Sequence, residues 1–245
     1  MFLLVAGIAA QAPDIKVLSA IPMQQVMEDL GPKFEHATGH KLAITFATLG
    51  GVVQRVQDGE TADVIIIPQQ GIDSLVKDGK ASAGNVTVIA RSGIGVAIRK
   101  GAPRPDISSP EALRRTLLAA KSITYSNPAD GGASGNHFAR VLERLGIVNE
   151  MKRKTVLAKP GDDTGVLVAN GKAEIGVHQF QVLMSVAGID IVGPLPGDLQ
   201  DTIVFGAAIM GGTKSAGASK AFVDFLRTPE AAAVIKAKGM EPATP

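Results

Sequence analysis

Short apolar, β-branched runs alternate with stretches of helical periodicity along most of the chain, the pattern of an α/β protein. IKVLS at residues 15–19 predicts a first strand, and Val26, Met27, Leu30 and Phe34 at helical spacing predict a helix over 23–38. Pro22 sits just ahead of that helix, where a missing N–H costs nothing. A strand over 42–46 and a helix over 50–57 follow, then the continuous apolar run ADVIIIP at 62–68, which suits a buried parallel strand. A helix over 71–80 completes this first series. VTVIARSGIGVAIRKG, from Val86, predicts two extended runs broken at Ser92-Gly93. Beyond Pro110 the pattern predicts helices over 111–120, 134–145 and 164–170, with strands over 122–125 and 174–178. Extended runs over 189–192 and 202–209 come next, and helices over 215–227 and 229–238 close the chain.

The order of elements predicts a discontinuous first domain, residues 13–91 plus 203–245, with a second domain, 92–202, inserted into it. Two chain crossings would form the hinge, and a cleft would lie between the domains. Three β-type runs stop at a small hydroxyl residue that opens a helix: Thr48 in FATLGGVVQRV, Ser134 in NPADGGASGNHFARVLERLG and Thr164 in GDDTGVLVANG. The first turn of a helix has N–H groups without intrahelical partners, and they lie at the positive end of the helix dipole. Three such starts converging in one cleft would bind a small oxyanion or carboxylate. Leu49 and Gly50 extend the first start. Gly131-Gly132 ahead of Ala133 and Ser134 lets the backbone approach a ligand closely, and His137 lies one turn further on. His178-Gln179 and Gln69-Gln70 follow strand ends, the edge at which open α/β sheets place their ligands.

Composition narrows the picture. The 245 residues are 45% hydrophobic and 20% charged, enough apolar surface for a substantial core. Lys plus Arg is 25 against 23 for Asp plus Glu, which gives no case for a nucleic-acid partner. One Tyr and no Trp make an aromatic cage a poor fit, and the absence of Cys removes thiolate sites and disulfides. No metal is expected: His36 and His40 are four apart, but Gly39 ends the helix between them. No cofactor is expected either, since the chain has no P-loop, dinucleotide fingerprint or nucleophile elbow. Arg55 and Lys159 are the cations nearest the candidate loops, and both are read as solvated. MFLLVAGIAAQA at residues 1–12 reads as the remnant of a secretory signal ending in an A-x-A site. No later run is long enough to span a bilayer.

Three longer stretches, DLGPKFEHATGHKLAITFATLGGVVQRVQDGETADVIII, the helix preceded by NP and ending in VLERLG, and AFVDFLRTPEAAAVIKAKG, resemble the periplasmic molybdate-binding family of ABC importers. The resemblance implies a two-lobed type II periplasmic binding protein fold with a ligand cleft between the lobes. It also implies a monomer in the periplasm, serving a membrane permease and its ATPase. In that family the anion is held by backbone N–H groups and a few Ser, Thr and Tyr hydroxyls. Here the first loop reads Ser19-Ala20-Ile21-Pro22, with Pro22 where the family carries a Ser, and Gln179, beside His178, falls where it carries a Tyr. Amide and imidazole groups thus replace hydroxyls, and a di- or tricarboxylate fits as well as a tetrahedral oxyanion. GGASGNHFARVLERLG and VGPLPGDLQ also resemble a catalytic branch of the same fold, the aconitate isomerases. That branch implies an alternative, a proton shift on an unsaturated tricarboxylate with His137 or His178 as the base.

Overall fold

The computed structural model describes residues 14–158 and 163–243; the expected signal remnant and Lys159 lie outside the described residues. The first series is β1 (Ile15–Ala20), α1 (Gln24–Thr38), β2 (Leu42–Ala47), α2 (Leu49–Gln57), β3 (Val64–Pro68) and α3 (Gln69–Lys77). A long strand, β4 (Val86–Arg99), leads to α4 (Pro110–Ala119), β5 (Ile123–Ser126), α5 (Ala133–Arg144), α6 (Val148–Lys152), β6 (Thr155–Ala158), α7 (Thr164–Ala169) and β7 (Ile175–Gln179). The chain continues through α8 (Phe180–Met184), β8 (Ile189–Pro194), β9 (Thr202–Ile209), α9 (Ala216–Phe225), α10 (Pro229–Ala237) and the short β10 (Glu241–Pro242).

The strands form one sheet in the order β2-β1-β3-β9-β4-β7-β5-β6, with β8 and β10 also paired to β4. β1 pairs in parallel with β2 and β3, and β5 pairs in parallel with β6 and β7. Both halves therefore obey the βα rule: each parallel strand ends at the same edge and hands over to a helix or turn there. Ala20, Ala47 and Pro68 mark that edge in the first half, and Ser126 and Gln179 mark it in the second. The apolar run in β3 is buried along its whole length between β1 and β9, as its composition requires. Val26, Met27, Leu30 and Phe34 of α1 are buried too, and Phe34 packs against Phe222 and Phe225 of α9.

The expected break at Ser92-Gly93 is absent. β4 runs unbroken for 14 residues, pairing with β9 through Gly93 and with β7 from Ile94 onward. Where β9 stops, the Gln200 side chain continues the ladder: its Oε1 accepts the Ile94 N–H at 3.2 Å and its Nε2 donates to the Ile94 carbonyl at 3.0 Å. The glycines here serve packing rather than turning, because a Cβ on Gly95 would sit 2.8 Å from the Phe180 ring. α6, β6 and α8 are short elements with no expected counterpart. α5 begins at Ala133, one residue before the hydroxyl taken as its start. No helix among the described residues is long and apolar enough to cross a membrane.

Candidate functional site

A cavity of about 450 Å³ lies where the strand ends of the two half-sheets meet. From the first half it is lined by Ala20, Ile21, Pro22, Gln24, Phe46, Thr48, Leu49 and Pro68. From the second half come Ser126, Asn127, Asp130, Ala133, Ser134, Asp163, Thr164, His178, Gln179 and Val182, with Gly132 and Ala158 between them. Among the described residues, no lysine or arginine lines the cavity. A larger hollow, about 530 Å³, opens at the far end of the second half beside Arg99, Lys121 and Glu174. It meets the carboxyl-terminal end of α4 at Ala119 and Ala120 and contains no buried unpaired polar side chain, so it has neither of the features that mark the first.

The start of α5 faces the cavity without a side-chain cap. Gly132 occupies its N-cap position without a side-chain bond, leaving the first-turn donors at Ala133 and Ser134 uncapped. Gly135 is obligatory there: a Cβ would lie 2.1 Å from the Ser126 carbonyl oxygen. That contact sets the helix start against the end of β5 and brings Ser134 Oγ to 3.1 Å from Ser126 Oγ. At α2, Thr48 Oγ1 accepts the Gly51 N–H at 3.1 Å, an ordinary N-cap bond that spares the donors of Leu49 and Gly50. At α7 the cap is Asp163, whose Oδ1 accepts the Gly165 N–H at 2.6 Å. Burial raises the Asp163 carboxyl above its ordinary value, against the lowering effect of the Gly165 and Val166 N–H groups.

Two polar atoms in the lining are buried without partners: Thr164 Oγ1 and Gln179 Nε2. Among the described residues four more such atoms, on Thr124, Gln181, Ser219 and Arg227, lie outside the cavity, so it is the pair's place beside the helix-start donors that points to a guest. His178 lines the same cavity. It accepts the Gln179 N–H on Nδ1 at 2.9 Å, and this bond assigns the ring proton to Nε2, which lies 3.5 Å from Ser134 Oγ. The ring is partly open to the cavity by area but is surrounded by protein over the distance that solvates a charge; this desolvation lowers its pKa to about 4. His178 is thus a neutral donor at physiological pH.

Of the residues expected from sequence, Ile21, Thr48, Leu49, Ala133, Ser134, Thr164, His178 and Gln179 line this one cavity. Ile21 is at its rim and 46% exposed. Gly50 adjoins it, meeting Gly131 of the opposite half backbone to backbone. Two expectations are corrected. His137 does not face the cavity: one turn along α5, its Nε2 bonds the Leu199 carbonyl at 2.8 Å and its Nδ1 lies 3.4 Å from Asp201. Gln69 turns back along its own helix and donates to Asp73 at 2.9 Å, and Pro68 lines the cavity instead. Neither histidine is poised as a general base, since the ring nitrogens of His137 are engaged outside the cavity and His178 Nδ1 is already an acceptor. Sequence reasoning missed Phe46, Pro68, Ser126, Asn127 and Asp130. Phe46, Pro68 and Ser126 sit at strand ends, where the rule that found His178 would also have found them. Arg55 pairs with Glu60 at 3.0 Å on the surface.

The family model of bacterial extracellular solute-binding proteins matches residues 15–241. The chain belongs to that family. Among curated relatives, this solute-binding protein is 32% identical over 234 residues to an aconitate isomerase of a Pseudomonas species, covering 93% of the chain and 87% of the relative. It is 30% identical over 240 residues to a molybdate-binding protein of Azotobacter vinelandii, covering 94% and 91%. Its fold is that of the two-lobed type II periplasmic binding proteins. The solved periplasmic molybdate-binding protein of Azotobacter vinelandii superposes with a TM-score of 0.76 at 23% identity, over 95% of this chain and 100% of that one. The sulfate-binding protein of Mycobacterium tuberculosis superposes at 0.77 and 18%, over 96% and 88%.

Proposed function

We propose that the protein is an extracytoplasmic receptor that closes two lobes over a small anion and delivers it to an ABC-type permease from the periplasm. In this reading residues 13–91 and 203–245 form one lobe and 92–202 the other, with β4 and the connection into β9 as the hinge. Both walls of the cavity come from one chain, so a monomer suffices. The observation that carries the reading is the meeting of uncapped helix-start donors with the orphaned Gln179 Nε2 and Thr164 Oγ1 in a cavity whose described lining holds no lysine or arginine. Donors fixed by the fold and shielded from water hold an anion without a full countercharge. Relatives named as molybdate-binding proteins support the same function. Closure requires only that the guest favour the shut form over the open one.

A melting-temperature screen against oxyanions and di- or tricarboxylates tests this, because a ligand of the native state alone raises the transition. Ser134→Pro removes a helix-start donor and should abolish the shift. An unchanged shift would count against the site.

A second reading, a proton shift on an unsaturated tricarboxylate, is favoured by the relative named aconitate isomerase. With both histidines unavailable, the base would fall to a cavity carboxylate, Asp163 or Asp130. Interconversion of cis- and trans-aconitate followed by chromatography separates the two: binding without turnover leaves the receptor.

A further inference from the structure

The two walls of the cavity differ in chemistry. The first half offers Ala20, Ile21, Pro22, Phe46, Leu49 and Pro68. Its two polar side chains are Thr48, whose Oγ1 accepts from Gly51 and keeps its own proton to donate, and Gln24, whose Nε2 donates to Glu28 at 2.8 Å. The side-chain donors cluster on the second half, at Ser134, His178, Gln179 and Thr164, and the first half adds donors only at the start of α2, from Thr48, Leu49 and Gly50. A tetrahedral oxyanion carries oxygen on every face, so the apolar side chains that make up most of the first wall strip its water and return nothing. A short organic acid has a carbon skeleton for that wall and carboxylates for the other.

Asp163 adds a second constraint. A carboxylate in an anion cavity repels a fully ionised guest unless a proton lies between them. Resting on the anion-binding reading above, we propose that the cavity is built for a short-chain polycarboxylic acid. Its carbon skeleton lies on the apolar wall of the first half, and one proton is shared between a ligand carboxyl and Asp163. The other ionisable groups around Asp163 are His178 and Asp130 in the cavity, and Glu28 of α1 and Lys238 after α10 in an adjoining hollow. Asp162 precedes it in the chain. Lys238 is paired with Asp29 at 2.8 Å, and His178 stays neutral above about 4.

The test is calorimetry of the purified chain with citrate, tricarballylate, sulfate and molybdate, at about pH 5.5 and about pH 8, in buffers of different ionisation enthalpy. The expected result is binding of the polycarboxylates alone, with uptake of about one proton per ligand at about pH 8 and less at about pH 5.5, where the ligand brings the proton. Asp163→Asn keeps an N-cap residue for α7 and should fold, but proton uptake should vanish and affinity become flat with pH. Oxyanion binding without polycarboxylate binding would overturn the proposal and leave the anion receptor standing. Polycarboxylate binding with no proton uptake, or with uptake unchanged in the Asn variant, would overturn the role of Asp163. Binding of neither class would sink both this inference and the reading beneath it.

Discussion

Gly50→Ala separates lobe closure from fold stability, because the two respond with opposite sign. Gly50 is the second residue of α2, and its φ is not positive, so alanine is admissible there. With closure ignored, the substitution stabilises the helix by about 0.5 kcal/mol through the lost freedom of the unfolded chain. For a chain of this length that raises the ligand-free melting temperature by about 1–2 °C. In the arrangement described here, however, the new Cβ lies 3.2 Å from Gly131 Cα and 3.4 Å from the Asp130 carbonyl oxygen, both across the cavity. Carbon atoms prefer roughly 3.5–4.0 Å, so two stretches of backbone must separate by a few tenths of an ångström. Overpacking of this kind costs about 1–2 kcal/mol, which weakens a ligand that needs the shut form about 5- to 30-fold. Thermal melts without ligand and titration calorimetry with the ligand from the screen measure the two effects on the same protein. Unchanged affinity would refute the reasoning, since the Gly50–Gly131 contact would then have no part in the liganded form.

Three further substitutions probe the remaining links. Gln179→Leu removes a buried donor with no partner, so the empty protein should gain about 1 kcal/mol in denaturant melts while ligand affinity falls at least about tenfold; retained affinity would remove Gln179 from the site. His178→Gln tests the neutral imidazole. The unfolded chain takes up the proton near 6.5 and the folded one only near about 4, so wild-type stability falls as pH drops through that window. The difference between wild type and variant should grow to about 2 kcal/mol at about pH 5 and disappear above about pH 7.5. Gly135→Ala forces a Cβ against the Ser126 carbonyl and should cost about 3 kcal/mol in stability; an equally stable alanine variant would refute the tight α5–β5 contact.

Much of the fold was legible because long periodic segments state their own type. The apolar β3 run and the α1 face at Val26, Met27, Leu30 and Phe34 could be read directly. The short α6 and α8 could not, because five residues hold too few turns to display a period. Gly93 misled for a different reason. In sequence a glycine within a strand pattern marks a turn, but here it makes room for Phe180 and the Gln200 side chain, neighbours visible only in three dimensions. The helix starts at Thr48, Ser134 and Thr164 could be found from their small hydroxyls, and they do share a cavity. The direction of a side chain beyond the first turn could not, and so His137 was expected inside. A partner far along the chain, the Leu199 carbonyl, decides where that ring points.

β4 passes through both halves as one hydrogen-bonded strand, held on either side by β9, β7 and β8. A molecule with the bulk of two modules therefore has no seam at which heat can enter first. Loosening either module frays the strand that the other depends on, so calorimetry should record a single endotherm, with its van't Hoff and calorimetric enthalpies in agreement.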